Sequence, residues 1–110
     1  MSMNETYAAI EPARSEIDKL EGATILEFGS PSCGHCQAAQ PMLAVAIADH
    51  PHVRHIKIAD GKGHRLGRSF KVKLWPTLVF LSNGQETKRL VRPGDASAIR
   101  AALAQIDHIE

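Results

Sequence analysis

Cysteine is scarce in this sequence, with two residues in 110. A scaffold stapled by several disulfides is therefore excluded, and the fold has to be held by its own core. Aromatic residues make up 5%, with one tryptophan and one tyrosine. That is too few for the stacking platforms of a single-strand nucleic-acid binder. No apolar run approaches the ~20 residues of a membrane span, so no membrane association is expected. The start of the chain, Met1 to Tyr7, has neither a basic region nor an apolar stretch. No export signal is read there, and with two cysteines the expected compartment is the reducing cytoplasm. Internal repeats, linker-like stretches and low-complexity segments are also missing. The expectation is a single domain over residues 1–110, monomeric.

Charge is present in both signs but unevenly placed. The net charge is +1, yet residues 1–49 carry two bases and seven acids, while residues 50–100 carry eleven bases and three acids. Within residues 62–73 there are five bases, no acid and one aromatic, with Lys62, Arg65, Arg68 and Lys71 recurring every three residues. A solvated charged face accounts for this pattern. The alternative is a docking surface for an acidic protein partner. A nucleic-acid surface would need more aromatic interleaving and more charge.

Along the chain, short apolar runs alternate with helical spacing. Thr6 to Ile10 reads as a weak strand. Pro12 opens a helix bearing Ile17 and Leu20, which Gly22 ends. Ala23 to Phe28 reads as a buried strand interrupted by Glu27. Cys33 to about Asp49 reads as a helix, with Pro41 inside it as an expected kink. Val53 to Ala59 is a second core strand, and Gly61 to Phe70 a short helix or loop. Thr77 to Leu81 is the strongest strand, joined through Ser82-Asn83-Gly84 to a strand at Glu86 to Val91. Asp95 or Ser97 caps a last helix carrying Ile99, Leu103 and Ile106. The order predicts an α/β fold, a mixed sheet with helices on both faces.

The chemistry-bearing motif is Cys33-Gly34-His35-Cys36 at the expected start of a helix. Unpaired amides and a partial positive charge gather there, and a thiol so placed has a depressed pKa. Cys33 would be exposed at the first turn, and Cys36 would lie on the same face one turn deeper. That order makes Cys33 the nucleophile and Cys36 its resolver. A protonated His35 nearby would favour the thiolate further and make the disulfide a stronger oxidant. A structural zinc site lacks a second cysteine pair, since His50 and His52 flank Pro51 at poor ligand spacing. Gln37 breaks the haem-attachment pattern. The remaining histidines, His50, His52, His55, His64 and His108, read as surface residues.

Residues 26–36, Leu-Glu-Phe-Gly-Ser-Pro-Ser-Cys-Gly-His-Cys, resemble the catalytic domains of protein disulfide isomerase, and the whole chain resembles a thioredoxin-fold protein. Pro41 matches the helix proline of that family, Pro76-Thr77 its cis-proline and threonine, and Asn83-Gly84 its hairpin. The resemblance covers roughly residues 6–107. It departs at Ser32, where the family has tryptophan, and at Gly29, where it has an aromatic. Trp75 would supply aromatic surface from the other side of the groove, or else pack in the core. The arginine that tunes the second cysteine in the isomerase domains has Arg92 as its nearest counterpart.

The resemblance implies a thioredoxin fold and dithiol-disulfide exchange with protein substrates. It implies a buried acid, Glu27, that relays the Cys36 proton; the alternative is a Glu27 that faces solvent. It also implies a substrate groove bounded by Gly34, Trp75, Pro76 and Thr77. No cofactor or metal is implied beyond the redox-active Cys33–Cys36 pair, with a thioredoxin-reductase-like or glutathione electron donor. The competing reading is an adaptor module that holds a client beside Pro76 without turnover.

Overall fold

The computed structural model describes residues 3–107. The elements run α1 (Arg14–Asp18), β1 (Ala23–Gly29), α2 (Gly34–Ala48), β2 (Arg54–Ala59), α3 (Arg65–Ser69), β3 (Thr77–Ser82), β4 (Gln85–Val91) and α4 (Ala96–Ile106). One sheet has the order β2-β1-β3-β4. β1 lies parallel to β2, with Glu27 opposite Lys57, and antiparallel to β3, with Phe28 opposite Thr77. This is the thioredoxin fold, with helices on both faces of a mixed sheet.

Side-chain alternation sends successive residues of β1 to opposite faces. Ile25 joins Leu43, Ile47, Phe80, Ile99 and Leu103 under α2 and α4. Leu26 and Phe28 join Ile17, Ile58, Leu66, Phe70 and Val79 under α1 and α3. The central strand is thus buried on both sides, which explains its nearly continuous apolar run.

The expected strand at Thr6 to Ile10 does not form. Ala8 gives one amide hydrogen bond to Lys57 O at 2.9 Å. Ile10 is 86% exposed, and Ala8 and Ala9 carry too little apolar area to make a sheet edge worth ordering. The stretch read as a short helix or loop over Gly61 to Phe70 holds a helix at Arg65–Ser69. α2 continues on both sides of Pro41. Of the two candidate caps for α4, Asp95 is the one used: its carboxylate accepts the Ala98 amide at 3.1 Å and the Ser97 hydroxyl at 2.6 Å. Asn83 and Gly84 both take positive φ, 51° and 79°, as a tight hairpin between twisted strands requires.

Candidate active site

Strand β1 ends at Gly29, and the turn Ser30–Ser32 delivers the chain to the start of α2. Cys33 is the helix N-cap, in extended conformation, and its sulfur accepts the Cys36 backbone N–H at 3.1 Å. Its own amide donates to Ser30 O at 3.1 Å. A sulfur held by an amide at the positive end of a fifteen-residue helix is placed where negative charge is favoured. Cys33 is half-buried, whereas Cys36 is 2% exposed. Burial, and a hydrogen bond with Cys33, push the Cys36 thiol up to about 12. The outer sulfur is therefore accessible, and the inner one holds its proton.

Gly34 and His35 are exposed on the first turn of α2. A Cβ on Gly34 would meet nothing within 4 Å, while one on Gly29 would come within 2.5 Å of Cys36 Sγ and 3.3 Å of Tyr7 Oη. The space left by the missing aromatic at position 29 is thus shared by the inner sulfur and the Tyr7 hydroxyl. Burial, reinforced by the thiols and Glu27, raises Tyr7 to about 12.

Glu27 is 0% exposed, so its side chain does not face solvent. Its Oε1 lies 2.8 Å from His55 Nε2, and its Oε2 accepts Gln40 Nε2 at 2.7 Å. The same Gln40 nitrogen donates to Cys36 O at 2.8 Å, and Gln40 Oε1 accepts from Lys57 Nζ at 3.2 Å. Lys57 Nζ is 4.0 Å from Glu27 Oε2 and sits over the Tyr7 ring. Among the described residues, no buried side-chain nitrogen or oxygen lacks a partner. A cleft of about 90 Å³, lined by Tyr7, Ser30, Pro31, Cys36, Gln37, Gln40 and Lys57, reaches this network from outside.

Sequence reasoning missed His55, which it put at the surface. His55 is 3% exposed because β2 turns its odd-numbered residues toward α2, beside Glu27. His50 is also not free at the surface, for its Nδ1 pairs with Asp107 Oδ2. His64 is exposed and pairs with Glu11 at 3.1 Å, and His52 is exposed. His108 lies outside the described residues. The signal for His55 was an alternation of His55 and Lys57 with isoleucines. Only the strand register shows that this polar face is covered.

The Trp75–Pro76 peptide is cis. Trp75 is half-buried, outside both core clusters, and donates Nε1–H to Asp60 Oδ2 at 2.9 Å. The Asp60 amide donates to Gly29 O at 2.8 Å, which brings the ends of β1, β2 and β3 together around the indole. Arg92 Nε donates to Trp75 O at 2.8 Å, and the Arg92 amide to Pro76 O at 3.0 Å. Arg92 thus clamps the proline segment. Pro76 and Thr77 are buried, and the Thr77 hydroxyl is engaged by Leu74 O at 2.6 Å. Beyond Trp75 opens a cleft of about 560 Å³ lined by Asp60, Gly61, His64, Arg68, Lys71, Val72 and Lys73. Lys62 and Arg65, of the same basic stretch, are exposed outside it.

Among the described residues no group of three or more His, Cys, Asp or Glu is placed to hold a metal ion. None of the described helices is long and apolar enough to cross a membrane.

The thioredoxin family model matches residues 8–105. The structure of thioredoxin 2 from Pseudomonas aeruginosa PAO1 in its reduced form aligns with a TM-score of 0.83 and 56% identity, covering 94% of this chain and 96% of that one. Human protein disulfide-isomerase A2 is 33% identical over 112 residues, covering 81% of this chain and 21% of its own length. Thioredoxin of Chlamydia trachomatis serovar D is 28% identical over 78 residues, covering 71% of this chain and 76% of its own. The chain thus spans about a fifth of the isomerase and about three quarters of the chlamydial protein. The paired cysteines disfavour an adaptor, which needs no resolver. With a family match extending over most of its length, the chain belongs to the thioredoxin family and is a protein thiol-disulfide oxidoreductase.

Proposed function

We propose that Cys33 is the nucleophile and Cys36 the resolver of a two-step exchange with protein disulfides. The Cys33 thiolate attacks one sulfur of the substrate disulfide, and the other substrate sulfur leaves and takes a proton. Cys36 then attacks the Cys33 sulfur of the mixed disulfide. The Cys36 proton passes to Glu27 through water in the small cleft beside Gln40, which is roomy enough for it. The second substrate sulfur leaves and is protonated. The substrate gains two electrons and two protons, and the chain closes a Cys33–Cys36 disulfide. The reverse order oxidises a substrate dithiol. No further cofactor is needed. The electron donor is a thioredoxin-reductase-like enzyme or glutathione, and the compartment is the cytoplasm. Residues 1–110 work as one unit and as a monomer.

The observation that carries this reading is the pair of sulfur environments: an outer sulfur on the Cys36 amide, and an inner one buried. Gly34, Trp75 and Pro76 border the groove for the substrate backbone, with Thr77 shaping the loop from below. Arg68, Lys71 and Lys73 take an acidic segment of the partner in the larger cleft. The test is insulin reduction together with trapping. Cys33→Ser should abolish turnover. Cys36→Ala should accumulate a mixed disulfide that Cys33→Ala does not form. The opposite trapping pattern sinks the assignment.

A further inference from the structure

His55 has no role in the exchange as described above, yet it is buried and both of its ring nitrogens are held. Its Nδ1 accepts the Asn4 backbone N–H at 2.8 Å. A ring nitrogen that accepts carries no proton, so the proton of the neutral imidazole is on Nε2. Nε2 lies 2.8 Å from Glu27 Oε1, and His55 is therefore the donor to that oxygen. The orientation of Gln40 is fixed in the same way. One end must donate to Cys36 O and the other must accept from Lys57, which leaves an N–H for Glu27 Oε2. Both oxygens of Glu27 therefore accept, as in a carboxylate.

The groups facing Glu27 come from every side. β2 supplies His55 and Lys57, α2 supplies Cys36 and Gln40, and the N-terminal segment supplies Tyr7. β3 presents Leu78, its apolar neighbour in the ladder. Lys57, at 4.0 Å, contributes charge without a direct hydrogen bond. The direct donors are Gln40 and His55.

We infer that His55 is a positioning residue of the redox site: a neutral Nε2–H donor, locked by the Asn4 amide, that holds the Glu27 carboxylate ready for the Cys36 proton. The inference rests on the reading of Glu27 as that proton acceptor. Because Asn4 occupies Nδ1, the imidazole does not compete for the proton. The N-terminal segment thereby becomes part of the resolving machinery, although it carries no reacting group. Without His55, Oε1 loses its donor and the carboxylate is less favoured. A Glu27 that already holds a proton cannot accept another.

Ellman's reagent separates the two steps by absorbance. The first thionitrobenzoate released reports attack by Cys33, and the second reports resolution by Cys36. In His55→Leu the first release should keep its wild-type rate. The second should slow about tenfold, the scale of one hydrogen bond to a charged group, and its pH profile should move to higher pH. His55→Gln retains a donor for Glu27 and an acceptor for Asn4, and should return the second step to within about twofold of wild type. A folded His55→Leu with the wild-type rate and pH profile overturns the inference. Nitrogen-15 shifts of His55 in the unsubstituted protein give a second reading that does not depend on the variant folding. They should show a neutral ring protonated on Nε2 at neutral pH. A ring protonated on Nδ1, alone or on both nitrogens, overturns it equally. Glu27→Gln separates the two readings. If it leaves the second release unchanged, the role of Glu27 fails. If it slows that release while His55→Leu does not, only the role of His55 fails.

Discussion

Replacing Gly67 by alanine tests how the Trp75 indole is held, because two physical effects oppose each other there. Gly67 is in the middle of α3, where alanine is normally favoured over glycine by about 0.8–1.0 kcal/mol. Helix propensity alone therefore argues for a more stable protein. A Cβ at this position, however, would come within 2.5 Å of Asp60 Cγ and 2.8 Å of Asp60 Oδ2, and closer still to Oδ1. The whole carboxylate must swing away, and its bond to Trp75 Nε1 goes with it. Overpacking of this kind costs about 1–3 kcal/mol, and a lost hydrogen bond to a charged group about 1.5–3 kcal/mol. The two overlap, since the same movement relieves one and breaks the other. Set against the propensity gain, we expect a net loss of about 0.5–2 kcal/mol and a fall in Tm of roughly 4–8 °C per kcal/mol lost. Trp75 is the chain's one tryptophan, so its emission reports directly on the broken bond. Urea unfolding followed by fluorescence measures both quantities. A Gly67→Ala protein at least as stable as wild type, with unchanged emission, would refute the reasoning.

Three further outcomes are expected. His35→Pro should make the couple more reducing, by less than the roughly 90 mV between isomerase-like and thioredoxin-like dithiols, because His35 is exposed and its charge is screened by water; equilibration with glutathione measures it, and an unchanged or more oxidising potential rejects the imidazole as the cause. Burial and the Cys33 hydrogen bond raise Cys36 from 9.0 to about 12 in the fold, so its share of stability is complete below pH 9 and is lost as pH climbs toward 12. Urea midpoints of the reduced protein should fall between pH 9 and 10 in wild type and hold in Cys36→Ala, whereas an equal fall in both would remove Cys36 as the source; Tyr7 adds its own loss only above its ordinary value of 10.0. Replacing Arg68, Lys71 and Lys73 by glutamate should raise KM for an acidic disulfide peptide about tenfold at low salt, converging with wild type as salt screens the charges. An effect independent of salt or of peptide charge would count against docking in that cleft.

Much of the fold was legible because each signal was local. The Asn83-Gly84 turn follows from backbone freedom, a cap at Asp95 or Ser97 from short acceptor side chains before a helix, and the placing of Cys33 from a strand read to Phe28 and the short loop after it. The apolar run of β1 announced a strand buried on both faces. The weak strand at Thr6 to Ile10 failed because pattern was present without enough apolar area. The cysteine pair was legible for the same reason as the turn, since three residues of spacing and a helix start suffice to order the two sulfurs.

The surroundings of that pair were not legible, because they are assembled across the sheet. His55 alternates with isoleucines and reads as a solvent-facing residue. Only the parallel register of β1 with β2 sets His55 and Lys57 beside Glu27, and α2 together with the N-terminal segment removes them from water. The Asn4 amide that fixes the His55 tautomer comes from 51 residues away. Gly29 reads in sequence as a missing aromatic, whereas in the fold Tyr7 and the Cys36 sulfur divide the space. Sequence determined which residues carry the redox chemistry, since that chemistry needs only two thiols one helical turn apart. Tertiary structure decided what holds the buried carboxylate beside them, because its donors meet it only when distant strands and helices close around it.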